Sequence, residues 1–225
     1  MREYEDYPEQ NTDRQDEYRY MQGQQSEGVK IRLTACLALV LLNIVVFLYC
    51  DLFASENLLN KIYNLGSLYG PSVIRGKEYY RLVSYMFLHM GINHIGNNMI
   101  LIFFLGSEVE RVLGKWQFFF VYFSSGIIAG IVSIVYNMLS GNFVSSVGAS
   151  GAGFGLIGAV ISLLLLNKKQ RGTELAKRVL LFAALSLYAG FSEQGIDNAA
   201  HVGGLAAGAA ITALLVLIRR RNSEG

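Results

Sequence analysis

The 225-residue chain is 52% hydrophobic and 16% charged, with a formal net charge of +2. Typical globular domains carry about 25% charged residues, and the mean hydropathy of +0.36 points the same way. A soluble domain is excluded, and so small a net charge offers nucleic acid no basic surface.

Residues 1–30 are rich in Glu, Asp, Gln, Arg and Tyr without apolar periodicity and read as a solvated cytoplasmic tail. A charged n-region followed by an apolar run is missing from the extreme N-terminus, so a cleavable signal peptide is not expected. Six apolar spans follow. The first runs over about 31–50, with Asp51 as its boundary, and carries both cysteines, Cys36 and Cys50, on one segment where a disulfide would not form. A long first loop, 51–91, is expected to be structured and to lie partly at the interface. The second span covers about 92–105 and holds His94, Asn97 and Asn98.

No Asp, Glu, Lys or Arg occurs from Trp116 to Asn167. A bilayer core takes about 20 apolar residues per helix, so this interval holds a third span (about 116–139), a turn at Ser140-Gly141-Asn142 and a fourth span (about 147–166). The fifth, about 179–191, is short. The sixth, about 199–218, carries His201 in its first turn, and a basic tail, 219–225, follows. The fold class is therefore all-α and polytopic.

Lys and Arg gather before span one (Arg19, Lys30, Arg32), between two and three (Arg111, Lys115), between four and five (Lys168, Lys169, Arg171, Lys177, Arg178) and after six (Arg219, Arg220, Arg221). The positive-inside rule puts both termini in the cytoplasm. The first loop, with Lys61, Arg75, Lys77 and Arg81, dissents and is outvoted. This topology places the starts of spans two, four and six on the outer side, where they hold His94 and Asn98, Ser150, and His201.

Ser150 stands at a helix start, where unsatisfied N–H groups and the positive dipole end favour a developing oxyanion. Gly148 permits an unusual backbone before it, and Gly151 removes a side chain beside it. Gly151, Gly155 and Gly158 also form a stripe on which another helix can pack closely. His201, Gly204 and Gly208 lie at i, i+3 and i+7. If the two glycine faces meet, the imidazole comes within hydrogen-bond reach of Ser150 as the base of an activated nucleophile. His94 and Asn98, one helical turn apart, can aim donors at the charge developing on a carbonyl oxygen. His89 is expected in the loop or at the interface; Asp197, four residues before His201, could serve as an orienting carboxylate, but the reading preferred for an acid at a loop edge is a solvated one. His-Glu-x-x-His and cysteine-pair spacings are lacking, so no metal and no cofactor is expected.

These residues resemble the rhomboid intramembrane serine proteases. "GASG" at 148–151, "AHVGGLAAG" at 200–208, "HIGNN" at 94–98, "YYR" at 79–81 and "GSEVERVLG" at 106–114 are similar to that family's motifs and stand in the same order. The resemblance implies a six-helix rhomboid-like bundle with a Ser-His dyad. Ser150 would be the nucleophile and His201 the base, with His94, Asn98 and the Ser150 N–H as oxyanion hole. Span five or its capping loop would gate the entrance. Two positions depart: Phe154 stands where many relatives have a tyrosine stacked on the histidine, and Tyr80 replaces a tryptophan.

The expected activity is endoproteolysis near the outer end of a single-pass substrate's transmembrane helix, in a bacterial-type plasma membrane, with the site open to the extracytoplasmic side. Rival readings are an inactive relative that binds membrane clients, whose usual signature is loss of the serine or histidine, and a small transporter, which would need acidic residues within its spans. The small-residue faces suit contacts within one chain and between copies alike.

Overall fold

The computed structural model describes residues 34–166 and 196–224. The expected tail 1–30, the fifth span 179–191 and the basic loop before it lie outside the described residues. Among those described, regular structure is helical apart from one antiparallel bridge between Leu68 and Ser146.

Helix α1 spans Ala35–Leu48 and continues as a wider π turn, Tyr49–Phe53. It starts later than the expected position 31 because Thr34 caps it, its side chain accepting from the Leu37 N–H at 3.1 Å. Two further orphan donors of the first turn, Ala35 N–H and Cys36 N–H, reach the Glu110 carboxylate at 2.9 and 2.7 Å. Asp51 does not end the segment as expected; the π turn runs through it.

The first loop is structured, with α2 (Glu56–Gly66), α3 (Gly70–Ile74), α4 (Arg81–Ser84) and a 3-10 turn at Tyr85–Phe87. Arg81 is buried, and a buried charge persists only with partners. Its Nε meets Glu78 at 2.5 Å and its Nη1 donates to the Ser67 carbonyl at 2.7 Å.

Helix α5 (Ile92–Leu101) passes through a π turn, Ile102–Gly106, into α6 (Ser107–Leu113). The basic turn expected between spans two and three is mostly helix. Only Gly114, at φ 94°, separates α6 from α7 (Lys115–Leu139). Arg111 stays on α6, its guanidinium forked onto Glu108. Helix α7 buries Phe118, Val121, Tyr122, Ser125, Ala129 and Ser133, a stripe at helical spacing, and leaves Phe120, Ile128, Ile131 and Val135 outside.

Helix α8 (Ser150–Leu166) is shorter than the expected 147–166, because the residues before Ser150 are extended or turned. It is buried almost all round from Gly151 to Val160, the mark of a central helix. Helix α9 (Asn198–Glu224) lies against it and against α7. It runs through Arg219–Arg221, so the basic end is helical and not a separate tail. Arg219 and Arg220 donate to the Val112 and Leu166 carbonyls at 3.3 and 2.8 Å, placing cations on the C-terminal ends of α6 and α8.

Among the described residues, three helical stretches, Ala35–Phe53, Lys115–Leu139 and Asn198–Asn222, are long and apolar enough to cross a membrane, and Ser150–Leu166 is a shorter apolar helix. The α8–α9 contact is made by backbone. A Cβ added to Gly204 would fall on the carbonyl oxygen of Gly151, one on Gly208 on that of Gly155, and one on Gly158 on that of Leu205. Lipid gives no hydrophobic drive for helices to associate, so closeness of this kind has to come from small residues and polar contacts. Ser162 adds one, donating to the Ala209 carbonyl at 2.7 Å.

Candidate active site

The approach to Ser150 is irregular chain, and several of its backbone groups find partners outside it. Ser146 exchanges two 2.9 Å hydrogen bonds with Leu68 of the first loop. The Gly148 N–H donates to the Tyr85 carbonyl at 2.9 Å. The Ala149 N–H donates to His89 Nε2 at 3.3 Å. The carbonyl of Ala149 then accepts from Gly153 at 2.9 Å, which starts α8 with Ser150 as its first residue. The N–H groups of that first turn have no carbonyl behind them within the helix.

Gly148 is needed here twice over. Its φ of 121° is a conformation that side chains rarely adopt, and a Cβ on it would come within 2.6 Å of His94 Nε2.

Across the glycine contact, the first turn of α9 presents His201. Its Nε2 lies 2.9 Å from Ser150 Oγ, although the two residues are 51 apart in the chain. If the serine is to donate, Nε2 must be the unprotonated nitrogen and Nδ1 must carry the proton. No hydrogen-bond partner stands at Nδ1 among the described residues. The plane of the ring is set instead by Phe154, one turn after Ser150, which stacks on it at 4.1 Å between centroids and 13° between planes. His201 is 7% exposed.

His94 and Asn98 project from one face of α5. His94 Nδ1 accepts from the Met90 N–H at 3.4 Å, which leaves Nε2 as the protonated nitrogen, above Gly148. Asn98 is buried, and its Nδ2 donates one hydrogen to the His94 carbonyl at 3.0 Å, leaving the other beside the same glycine. Two donors thus converge two residues before Ser150. Among the described residues no three His, Cys, Asp or Glu side chains are grouped to hold a metal ion.

The fold therefore gathers Ser150, His201, Phe154, His94, Asn98 and Gly148 around one point, with the Gly151–Gly204 and Gly155–Gly208 contacts beneath it. Two residues have surroundings that their sequence reading did not give. His89 lies in the loop, as expected, but is buried there, edge-on to His94 at 5.2 Å between ring centroids. Burial first, and His94 second, push its pKa down to about 4 against an opposing contact with the Phe87 backbone. It is neutral at pH 7, as an acceptor for Ala149 must be. No helical periodicity could have found it, because it lies in the loop ahead of Gly91, itself at φ 88°.

Asp197 is not a solvated acid. It caps α9 by accepting from the Ala200 N–H at 3.0 Å, and it also accepts from the Ser146 and Ser133 hydroxyls.

The model of the rhomboid domain family matches residues 76–218. The chain is 35% identical over 160 residues to the putative rhomboid protease YdcA of Bacillus subtilis, covering 71% of this chain and 75% of that protein. It is 34% identical over 137 residues to the rhomboid protease GluP of Bacillus subtilis, covering 61% of this chain and 26% of the relative. With RHOMBOID-like protein 4 of Arabidopsis thaliana the identity is 33% over 168 residues, 72% of this chain and 42% of the other. The matched region thus spans less than half of the last two relatives.

Proposed function

Since this chain belongs to the rhomboid family, we propose that it is an intramembrane serine endopeptidase working through Ser150 and His201. The carrying observation is the 2.9 Å approach of Ser150 Oγ to His201 Nε2 on two helices whose backbones touch. Ser150 Oγ attacks the scissile carbonyl carbon while its proton passes to His201 Nε2. The oxygen that gains charge is met by His94 Nε2–H, the Asn98 amide and the N–H of Ser150 at the start of α8. Collapse breaks the C–N bond, and His201 returns the proton to the leaving amine. Water, deprotonated by the same imidazole, then frees the acyl group from Ser150.

In this reading six spans cross the membrane with both termini cytoplasmic, and the site opens to the extracytoplasmic side of a bacterial-type plasma membrane. The substrate is a single-pass protein cut near the outer end of its transmembrane helix. A helix offers its peptide bonds only when unwound, so small or helix-weakening residues flank the cut.

The test is cleavage of a single-pass reporter in liposomes, alongside labelling of the protein by a fluorophosphonate. Ser150→Ala and His201→Ala should each lower cleavage by roughly 10⁴-fold or more and abolish labelling. Cleavage undiminished in either variant overturns the mechanism. A wild-type chain that neither cuts nor labels would instead be a client-binding relative.

A further inference from the structure

The candidate active site has two halves, and one carboxylate outside the dyad touches both. Asp197 Oδ2 accepts from Ser146 Oγ at 2.6 Å, four residues before Ser150, and from Ser133 Oγ on α7. Its Oδ1 accepts from the Ala200 N–H at 3.0 Å, the residue before His201. Asn137, one turn after Ser133, steadies that serine with a 3.3 Å bond from Nδ2. The connections close a ring: Asp197 to Ser146, along the chain to Ser150, across to His201, and back through Ala200.

We propose, on the reading that Ser150 and His201 are the catalytic pair, that Asp197 is a positioning residue that sets their separation. It is not a third member of a triad, since neither carboxylate oxygen pairs with His201 Nδ1, which has no partner among the described residues. It acts through Ser146 and Ala200.

The physical need is plain. The dyad bond joins the start of one helix to the start of another, and the glycine contact lies below it. The segment at 145–149 enters from above as non-helical chain. Its bridge to Leu68 fixes it to the first loop, which is not a bond to α9. Charge-assisted hydrogen bonds are roughly twice as strong as neutral ones. A carboxylate can accept several at once, as few other side chains can. A carboxylate at the cap of α9 therefore locks the serine's segment to the histidine's helix, with α7 as the fixed wall.

The test uses the full chain in phosphatidylcholine–phosphatidylglycerol liposomes with a single-pass reporter. It compares Asp197→Ala, Asp197→Asn, Ser146→Ala, the Ser146→Ala/Asp197→Ala double variant and Ser150→Ala. A misplacement of about 1 Å costs on the order of 100-fold, so Asp197→Ala should lower kcat and the rate of fluorophosphonate labelling together by roughly 10- to 100-fold. KM should stay within about twofold. Asp197→Asn, which keeps an acceptor for Ala200, should fall between. Ser146→Ala should add nothing on the Asp197→Ala background, because both remove the same link.

A merely structural cap would lower thermal stability but leave the two substitutions additive and the labelling rate of the folded fraction unchanged; that result overturns the proposal. Should Asp197→Ala fail to fold, Ser146→Ala alone decides, since it leaves the cap intact: unchanged kcat and labelling overturn the proposal. Cutting that persists in Ser150→Ala overturns the catalytic reading itself. Ser150-dependent cutting at full rate in Asp197→Ala overturns only the role of Asp197.

Discussion

The segment leading into Ser150 is held by hydrogen bonds, whereas the helix that carries His201 is held by backbone touching backbone. From Ser146 to Ala149 the chain is extended or turned, and it leans on Leu68, Tyr85, His89 and Asp197, four partners from three separate stretches. Helix α9 needs no such set. It approaches α8 through Gly204 and Gly208, and its imidazole is steadied by the face of Phe154. Irregular backbone at membrane depth survives only where protein supplies each missing partner. A regular helix satisfies its own interior and, beyond a cap such as Asp197 at its first turn, needs mainly room to come close. Ser150 and His201 illustrate these two solutions, and the two sides should fail differently.

The largest effect should come from the packed side. A side chain at position 208 would occupy the place of the Gly155 carbonyl, and no rotamer avoids a clash of Cβ with backbone. Gly208→Leu should part α8 from α9, cutting reporter cleavage and fluorophosphonate labelling by at least about 100-fold and lowering the thermal midpoint in detergent. Activity near wild type would mean that the close contact is not what sets the dyad.

On the bonded side, His94→Ala and Asn98→Ala should each reduce kcat by roughly 10²- to 10³-fold with KM little changed. Neither should lower the thermal midpoint as far as Gly208→Leu. A rise in KM with kcat intact would move these residues from the oxyanion to substrate binding.

A third and smaller difference is in pH response. The His89 pKa lies near 4 in the fold, against an ordinary 6.5. The unfolded chain therefore binds a proton between those values that the folded site refuses. Stability from this group is complete above pH 6.5 and declines as the pH falls towards 4, at up to about 1.4 kcal/mol per pH unit. Thermal midpoints measured across that window should fall more steeply for the wild type than for His89→Gln, whose amide oxygen can still accept from Ala149. Parallel curves would show that His89 does not titrate in this way.

The smallest effect belongs to Phe154. An aromatic pair contributes about 0.5–1.5 kcal/mol beyond its burial. Phe154→Leu should therefore slow kcat by roughly 2- to 12-fold, and Phe154→Tyr, which keeps the ring, should remain within about twofold.

Much of the site was legible before any fold was known, and for a definable reason. His94 and Asn98, and likewise His201, Gly204 and Gly208, sit on single helices, where spacing alone says which residues share a face. Ser150 was legible because glycine marks its surroundings. The first loop was foreseen as structured, but its helices were not: α3, α4 and the 3-10 turn are too short to show a period, and α2, at 11 residues, lies within what reads as loop. The span limits shifted where a cap or a π turn intervened, at Thr34 and at Tyr49–Phe53. The burial of His89 and the bonding of Asp197 were not foreseen because both residues lie in irregular chain. There the direction of a side chain follows from contacts with distant segments and not from its place in a repeat.

By itself, then, the sequence determined that this is an all-helical membrane chain of the rhomboid family, and which residues could carry its chemistry. Composition, charge placement and helical periodicity are local properties, written residue by residue. The tertiary structure alone decided that Ser150 and His201 stand 2.9 Å apart, that Phe154 lies flat on the imidazole, and that Asp197 ties both halves together. Those facts depend on how far α9 can sink into α8 and on which loop lies above them, and close approach between distant segments has no period to be read.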